Sequence, residues 1–350
     1  HLPYFSLIPL KPLGIEETTT LLKKLFHCDK IDDKLLSFLL EKSGAIPFYI
    51  SELALNLVNN NMLDIKTGIV KLKGDLNFAI PRSLDELIMT KIDKLSSELR
   101  FIVNIAAVIG EEFSFKLLVA LIPGKERLKQ NLAYIVQQNI FKMTEYKDSL
   151  EDEKYAFTHS LIRDAIYNSM LKKQQREYHQ KVGFMMEKLF SLTIEEYLDT
   201  LANHFYLGGE IIKALEYMEK AGDQKKELYL NNSAIELYKK CLTMIPEGMP
   251  QISARICEKL GTIYELIGDY ENALNSYSNM EYYAGNELVV KARSLRYRAN
   301  IIANQGDYDK ALELLSSAFD YLKTIKEKSN TSVLLETSNI RNLECWLYRI

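Results

Sequence analysis

The hydrophobic pattern changes character at Tyr155–Met170, and that change divides the chain. Ahead of it, short apolar runs at strand spacing alternate with runs at helical spacing; behind it almost every segment has a helical period. Within the stretch, Tyr155-Ala156-Phe157 predicts a strand. Leu161, Ile162, Ala165, Ile166 and Met170 then fall on one helical face. Thr158 or Ser160 is the expected N-cap, which sets His159 at the start of that helix, where unpaired backbone N–H groups favour an anion. A histidine in such a turn can equally be a capping or packing residue.

The same pattern predicts the remaining elements. Phe5–Leu10 reads as the end of a buried strand stopped by Pro9 and Pro12. Helices follow from Ile15, carrying Leu21, Leu22 and Phe26, from about Asp32, and over Phe48–Asn60, with Pro47 at the first turn of the last, where its missing N–H costs nothing. Ile69–Leu72 suggests a short strand. Ser83, with Glu86 three residues on, caps another helix. Helices are expected over Leu99–Ile109, Phe113–Leu121 and Leu128–Gln138. Strands Ile140–Met143 and Tyr155–Phe157, joined by a charged turn over Lys147–Lys154, complete a winged-helix pattern.

After residue 181 the chain repeats itself. Leu260–Met280 and Arg298–Ala318 each carry Gly-Asp-Tyr, an alanine three residues later (Ala273, Ala311), and a small residue seven before the glycine (Gly261, Ala299). Leu201–Ala221 shows the same frame through Ala202, Gly209 and Ala214. Asn231–Pro246 matches only a second helix. Small residues let antiparallel helices approach, the Gly-Asp pair turns the chain, and aromatics, including Tyr264, Tyr277, Tyr282, Tyr283 and Tyr297, fill the gaps. These resemble tetratricopeptide (TPR) repeats. Ala214, Ala234, Ala273 and Ala311 stand 20, 39 and 38 residues apart, so the array is irregular, with the excess expected at Glu247–Ile252 and Gly285–Leu288.

Composition narrows the function. A net charge of −3 over 350 residues gives no global basic field for nucleic acid. The helix before the wing offers Lys129, Gln130, Gln137 and Gln138 but no arginine cluster, and Lys172, Lys173 and Arg176 read as a solvated face, so direct DNA binding is disfavoured. The four cysteines, Cys28, Cys241, Cys257 and Cys345, are isolated and read as buried thiols of a reducing, cytoplasmic compartment. No run is long and apolar enough to span a bilayer. The five histidines show no metal spacing, and no catalytic constellation emerges; Ser160 and Asp164 near His159 lack an oxyanion feature. The sequence is read as an internal piece of a longer protein.

Three segments together resemble the STAND-type NTPases, AAA+-related signalling ATPases that include LuxR/MalT-like regulators and multidomain adenylyl cyclases. They are Leu7–Leu13; Ser43-Gly44-Ala45-Ile46-Pro47-Phe48-Tyr49-Ile50-Ser51-Glu52-Leu53, similar to G-N-P-F-y-i-x-E-L; and Phe157–Tyr167, similar to F-x-H-x-L-i-r-x-a-x-Y. Arg176 and His179 follow as in R-x-x-H. The resemblance implies a mainly α fold: the end of a nucleotide-binding domain (1–14), a helical lid (15–80), a winged-helix domain with a small β-hairpin (81–181) and a TPR-like α-solenoid (182–350). It implies that Pro47 packs on the base of ATP or ADP and that His159 contacts the diphosphate. Ala45 and Ile46 replace the motif's glycine and asparagine, and Lys91 stands where an arginine is common. No GxxxxGK[ST] occurs, so phosphate loop and magnesium ligands are expected upstream, and this segment is not expected to hydrolyse ATP alone. Two functions follow as expectations. One is the regulatory and sensor portion of an ATP-dependent signalling protein, whose repeats bind a protein or peptide and whose lid meets the chain's own nucleotide domain. The other is a passive TPR scaffold.

Overall fold

The computed structural model describes residues 11–66, 68–73, 81, 83–145, 153–325 and 330–349. The expected strand at Phe5–Leu10 and most of the charged turn after Glu145 lie outside them. The chain is mainly α and forms two compact units, His1–Gln174 and Gln175–Ile350.

The first unit opens with α1 (Ile15–Phe26), β1 (Lys30–Ile31), α2 (Asp33–Ser43), α3 (Pro47–Asn59), β2 (Leu63–Lys66) and β3 (Ile69–Leu72). The strands form a small sheet in the order β1-β3-β2, of which the apolar pattern shows only the third. Leu22, Leu35, Leu39, Ile50, Leu53, Leu57 and Val70 are its sealed core. Next come α4 (Leu84–Asp93), α5 (Ser97–Ile109), β4 (Glu112–Ser114), α6 (Phe115–Leu121), α7 (Lys125–Gln137), β5 (Phe141–Glu145), β6 (Lys154–Phe157) and α8 (Ser160–Ser169). Ser83 caps α4 by accepting from the Glu86 N–H at 3.1 Å, as its spacing predicts. The wing is three-stranded, β4-β6-β5, because Phe113 lies in a strand rather than in the following helix. The pairing sets Phe113 opposite Tyr155 and Phe141 opposite Phe157; Phe113 lies parallel to Tyr155 and meets Phe141 edge-on, as Phe141 meets Phe157, which makes one aromatic core.

The second unit is an α-solenoid: α9 (Lys172–Leu189), a 3₁₀ turn at Ile194–Glu196, α10 (Leu198–Gly208), α11 (Ile211–Glu227), α12 (Asn231–Met244), α13 (Pro250–Leu266), α14 (Tyr270–Tyr283), α15 (Leu288–Asn304), α16 (Tyr308–Lys323) and α17 (Thr331–Leu347). The pairs α13/α14 and α15/α16 are the two the repeat identifies. Asp269 and Asp307 cap their second helices by accepting from the N–H groups of Asn272 and Lys310. The segment Asn231–Pro246 does have a first helix. It is α11, which packs on both α10 and α12. A Cβ on Gly222 of α11 would lie 2.5 Å from the Tyr238 ring of α12, just as one on Gly261 would lie 2.4 Å from Tyr277. The short 20-residue interval thus marks a helix shared by two pairs. The turn between α11 and α12 carries Tyr229 in the left-handed region (φ 59°), where the later turns use Gly268 and Gly306.

Other expectations change. Tyr264 and Tyr277 fill helix gaps, whereas Tyr282 is exposed. Cys241 and Cys257 are buried, but Cys28 is half-buried and Cys345 is exposed. No helix among the described residues is long and apolar enough to cross a membrane.

Candidate functional site

The turn between α2 and α3 is built from its own sequence. Gly44 and Ala45 both take positive φ, 58° and 60°. That is the left-handed region, which costs an alanine roughly 1–2 kcal/mol more than a glycine, and it accounts for glycine in the related motif. The strained turn is pinned. The Ala45 N–H donates to Ser43 Oγ at 3.1 Å, and the Leu13 N–H donates to the Ala45 carbonyl at 3.0 Å. Pro47 then stands exposed at the first position of α3.

The second motif reaches the same place. The Thr158 N–H donates to the Ile140 carbonyl, and its hydroxyl donates to the Asn139 carbonyl at 2.9 Å, so Thr158 secures the strand exit. The N-cap of α8 is neither Thr158 nor Ser160 but His159 itself, whose Nδ1 accepts from the Leu161 N–H at 3.2 Å. Its extended backbone aims the ring back over the helix start. The ring stacks on Phe48, centroids 4.1 Å apart and planes 15° from parallel. Residues 48 and 159, more than a hundred positions apart, are therefore in ring contact, with Pro47 one position before Phe48 in the chain. With Nδ1 an acceptor, a neutral His159 carries its proton on Nε2, which makes that atom a donor suited to an anionic oxygen.

The other residues of this motif serve the fold. Phe157, Ile162, Ala165 and Ile166 are buried. Arg163 Nε donates to the Ala107 carbonyl and its Nη1 pairs with Asp164 at 2.8 Å. Lys91 pairs with the buried Glu52 of α3 at 3.3 Å, so its charge is committed to α3. This pair opens onto a polar cleft of about 310 Å³ lined by Asn56, Asn59, Tyr134, Gln137 and Gln138. In the second unit, Arg176 Nε donates to the Gly208 carbonyl at 3.3 Å, and the Nδ1 atoms of His179 and His204 lie 2.9 Å apart. The R-x-x-H pair therefore packs α9 on α10. Burial, with the His179 ring beside it, pushes His204 down to about 3.

Among the described residues no group of three or more histidine, cysteine or carboxylate side chains could hold a metal. Burial raises the Cys241 thiol to about 12 and Cys257 to about 11, so neither is an activated nucleophile.

The repeats carry a larger cleft, about 540 Å³, along the first helices of neighbouring pairs. Glu265, Arg296, Tyr297, Asn300 and Asn304 line one side, and Asn339, Asn342, Leu343 and Trp346 the other. The four asparagines are a missed signal: Asn300 to Asn339 and Asn304 to Asn342 are separated by 39 and 38 residues, the interval of the repeat itself.

No protein-family model matches the chain. The peroxide stress-activated histidine kinase mak3 of Schizosaccharomyces pombe is 23% identical over 263 residues, which is 70% of this chain and 11% of that protein. An uncharacterised protein of Rhizobium meliloti is 23% identical over 223 residues, 62% of this chain and 21% of its own length. The chain thus spans between a tenth and about a fifth of these relatives. Among solved structures, MamA aligns at a TM-score of 0.28 and 15% identity, over 43% of this chain and 93% of its own. A STAND protein with a tetratricopeptide repeat sensor from Pyrococcus horikoshii aligns at 0.28 and 13% identity, over 96% of this chain and 61% of its own. At those scores neither superposition decides the fold, which rests on the helix pairs described above.

Proposed function

We propose that this chain is the regulatory and sensor portion of a STAND-type, ATP-dependent signalling protein. In this reading, lid and winged helix hold ADP or ATP through Pro47 and His159, and the TPR-like repeats bind a protein or peptide partner. The observation that carries it is the Phe48–His159 stack, which brings the two separate motifs into contact, with Pro47 exposed next to Phe48 in the chain and the His159 ring half-buried on Phe48. A nucleotide there would supply negative charge and a flat base. The residues present fit it: Nε2 of His159 has the right polarity for a phosphate oxygen, and the exposed pyrrolidine of Pro47 offers an apolar face. Lys91 takes no part, being paired with Glu52. Phosphate loop and magnesium ligands belong to the nucleotide domain of the parent chain. Coupling arises if the nucleotide favours one arrangement of lid and winged helix and the partner biases the same equilibrium. Paired cysteines are absent and the buried ones are inert, which suits a cytoplasmic setting.

The test is calorimetry of ADP binding to the full-length protein. His159→Ala removes both ring and cap; His159→Asn keeps a good N-cap and removes the Nε2 donor. Both variants should weaken ADP about tenfold or more, the worth of one hydrogen bond to a charged group. Wild-type affinity in His159→Asn would make His159 a capping residue only. The scaffold reading predicts a further outcome, partner affinity that is the same with ADP, ATP or neither.

A further inference from the structure

We infer that the polar cleft between α3, α4 and α7 binds a small zwitterion, an α-amino acid with an uncharged polar side chain. The inference stands apart from the nucleotide reading. The cleft opens along Glu52 to Asn59 of α3, about 8–18 Å down the helix from Pro47 at about 1.5 Å per residue. It holds about 310 Å³, room for a small molecule. The most buried polar residue lining it is Glu52, 7% exposed. The only polar contact of Glu52 is Lys91 Nζ, 3.3 Å from Oε2, and Oε1 accepts nothing among the described residues. Close charge-assisted bonds are shorter, about 2.7–2.9 Å. A buried carboxylate with one oxygen unanswered is costly and calls for a donor.

The charges around Glu52 select the class of ligand. Lys91 gives Glu52 one N–H and keeps the other donors of its ammonium group. Lys94, three residues on, is exposed and makes no side-chain hydrogen bond or ion pair among the described residues. A simple anion would answer the lysines but meet Glu52, and a simple cation would answer Glu52 but meet two ammonium groups. An α-amino acid carries both charges on one carbon, side by side as Glu52 and Lys91 are. Its ammonium donates to Glu52 Oε1, and its carboxylate accepts from Lys94 and the spare donors of Lys91. The C-terminal turns of α3, α4 and α7 supply most of the remaining lining, and their negative ends favour the same ammonium. Asn59, Gln137 and Gln138 make no side-chain hydrogen bond among the described residues. Each of these amides offers a donor and an acceptor, which a hydroxyl or amide side chain matches and a charged one does not. Tyr134, 45% exposed, gives the ligand's aliphatic stem an apolar face.

The test is calorimetry on the full-length protein with L-glutamine, L-asparagine and L-serine as probes, at least one of which should bind. The N-acetyl derivative of the binder lacks the ammonium and its α-carboxamide lacks the carboxylate. Each should bind about tenfold or more weakly, the worth of one hydrogen bond to a charged group. Lys94→Ala, a change at an exposed position that leaves the fold intact, should weaken the binder as much, and so should Glu52→Gln, which keeps the side chain's shape. If Glu52→Gln does not fold, Lys94→Ala and the two derivatives decide. The inference is overturned if none of the three probes binds, if Lys94→Ala or a folded Glu52→Gln keeps wild-type affinity, or if either derivative binds as tightly as its parent, which would make the cleft a site for a simple anion or a simple cation. His159→Asn separates the two proposals, because it should leave amino-acid binding unchanged. Amino-acid binding without any ADP binding counts against the nucleotide reading alone, and ADP binding without amino-acid binding counts against the cleft alone.

Discussion

Gly261→Ala is a conservative change by composition and should nonetheless destabilise the repeats. A Cβ at position 261 would lie 2.4 Å from Cε1 of Tyr277 and 2.7 Å from Cδ1 and Cζ. The ring cannot step aside. Tyr277 is fully buried, its hydroxyl donates to Glu265 at 3.0 Å, and its face stacks on Tyr297 at 4.7 Å. Burial and the Glu265 carboxylate push its ionisation upward, so it stays a donor. The exchange gains about 1 kcal/mol of helix propensity. Overpacking costs about 1–3 kcal/mol or more where neighbours are fixed, and at 2.4 Å the upper part of that range applies, for a net loss of about 2 kcal/mol. The chain supplies its own control: the next pair places Ala299 and Leu315, both buried, at the corresponding positions. Gly261→Ala/Tyr277→Leu should therefore be less destabilised than the sum of its single variants by at least about 1 kcal/mol, within the usual range for residues in contact. Urea unfolding followed by Trp346 fluorescence reads all four corners of the cycle. Stabilisation by Gly261→Ala, or additivity within about 0.5 kcal/mol, would refute the steric argument.

Two further predictions concern buried polar groups. Glu336→Ala strands Arg296, which is pressed on the Tyr297 ring at 4.4 Å, and should lower repeat stability by about 3 kcal/mol, with Glu336→Gln intermediate; equal stability of all three in the same urea assay would show the pair to be dispensable. His204 is held neutral, its folded pKa below the unfolded 6.5, so the unfolded chain binds the extra proton: stability is fully present above pH 6.5 and is lost as pH falls toward about 3. The slope approaches about 1.4 kcal/mol per pH unit, and His204→Gln should flatten it between pH 5 and 6, where carboxylates contribute little.

Local signals were the most legible. Ser83 and Glu86, Pro47 at the head of α3, and the alanine and glycine frame of two helix pairs follow from i, i+3 and i, i+4 rules, which need no tertiary knowledge. The site was legible only as two motifs. That Phe48 would carry the contact between them depends on how α3 and α8 meet, and no periodicity encodes this. Capping was one of the readings the turn offered for His159, but Thr158 and Ser160 stood ahead of it because they always present an oxygen, whereas the His159 ring is an acceptor only in one tautomer. The α11/α12 pair was hidden for a backbone reason: Tyr229 occupies the left-handed turn position that glycine marks elsewhere, so the punctuation vanished while the geometry stayed. The Lys91–Glu52 pair joins residues 39 apart on different helices, and charge alone does not choose among the many carboxylates available to a lysine.

The shared helix also sets how the array comes apart. In a nearest-neighbour description each unit melts when its own helices separate, and the boundary between units is where opening begins. A helix that belongs to two pairs removes one such boundary. The segment from Leu198 to Met244 is then a single cooperative block of three helices, and amide exchange across it should proceed with one protection factor. The later two-helix units retain their seams, so partial opening is confined to them, and the α15/α17 cleft lies among them.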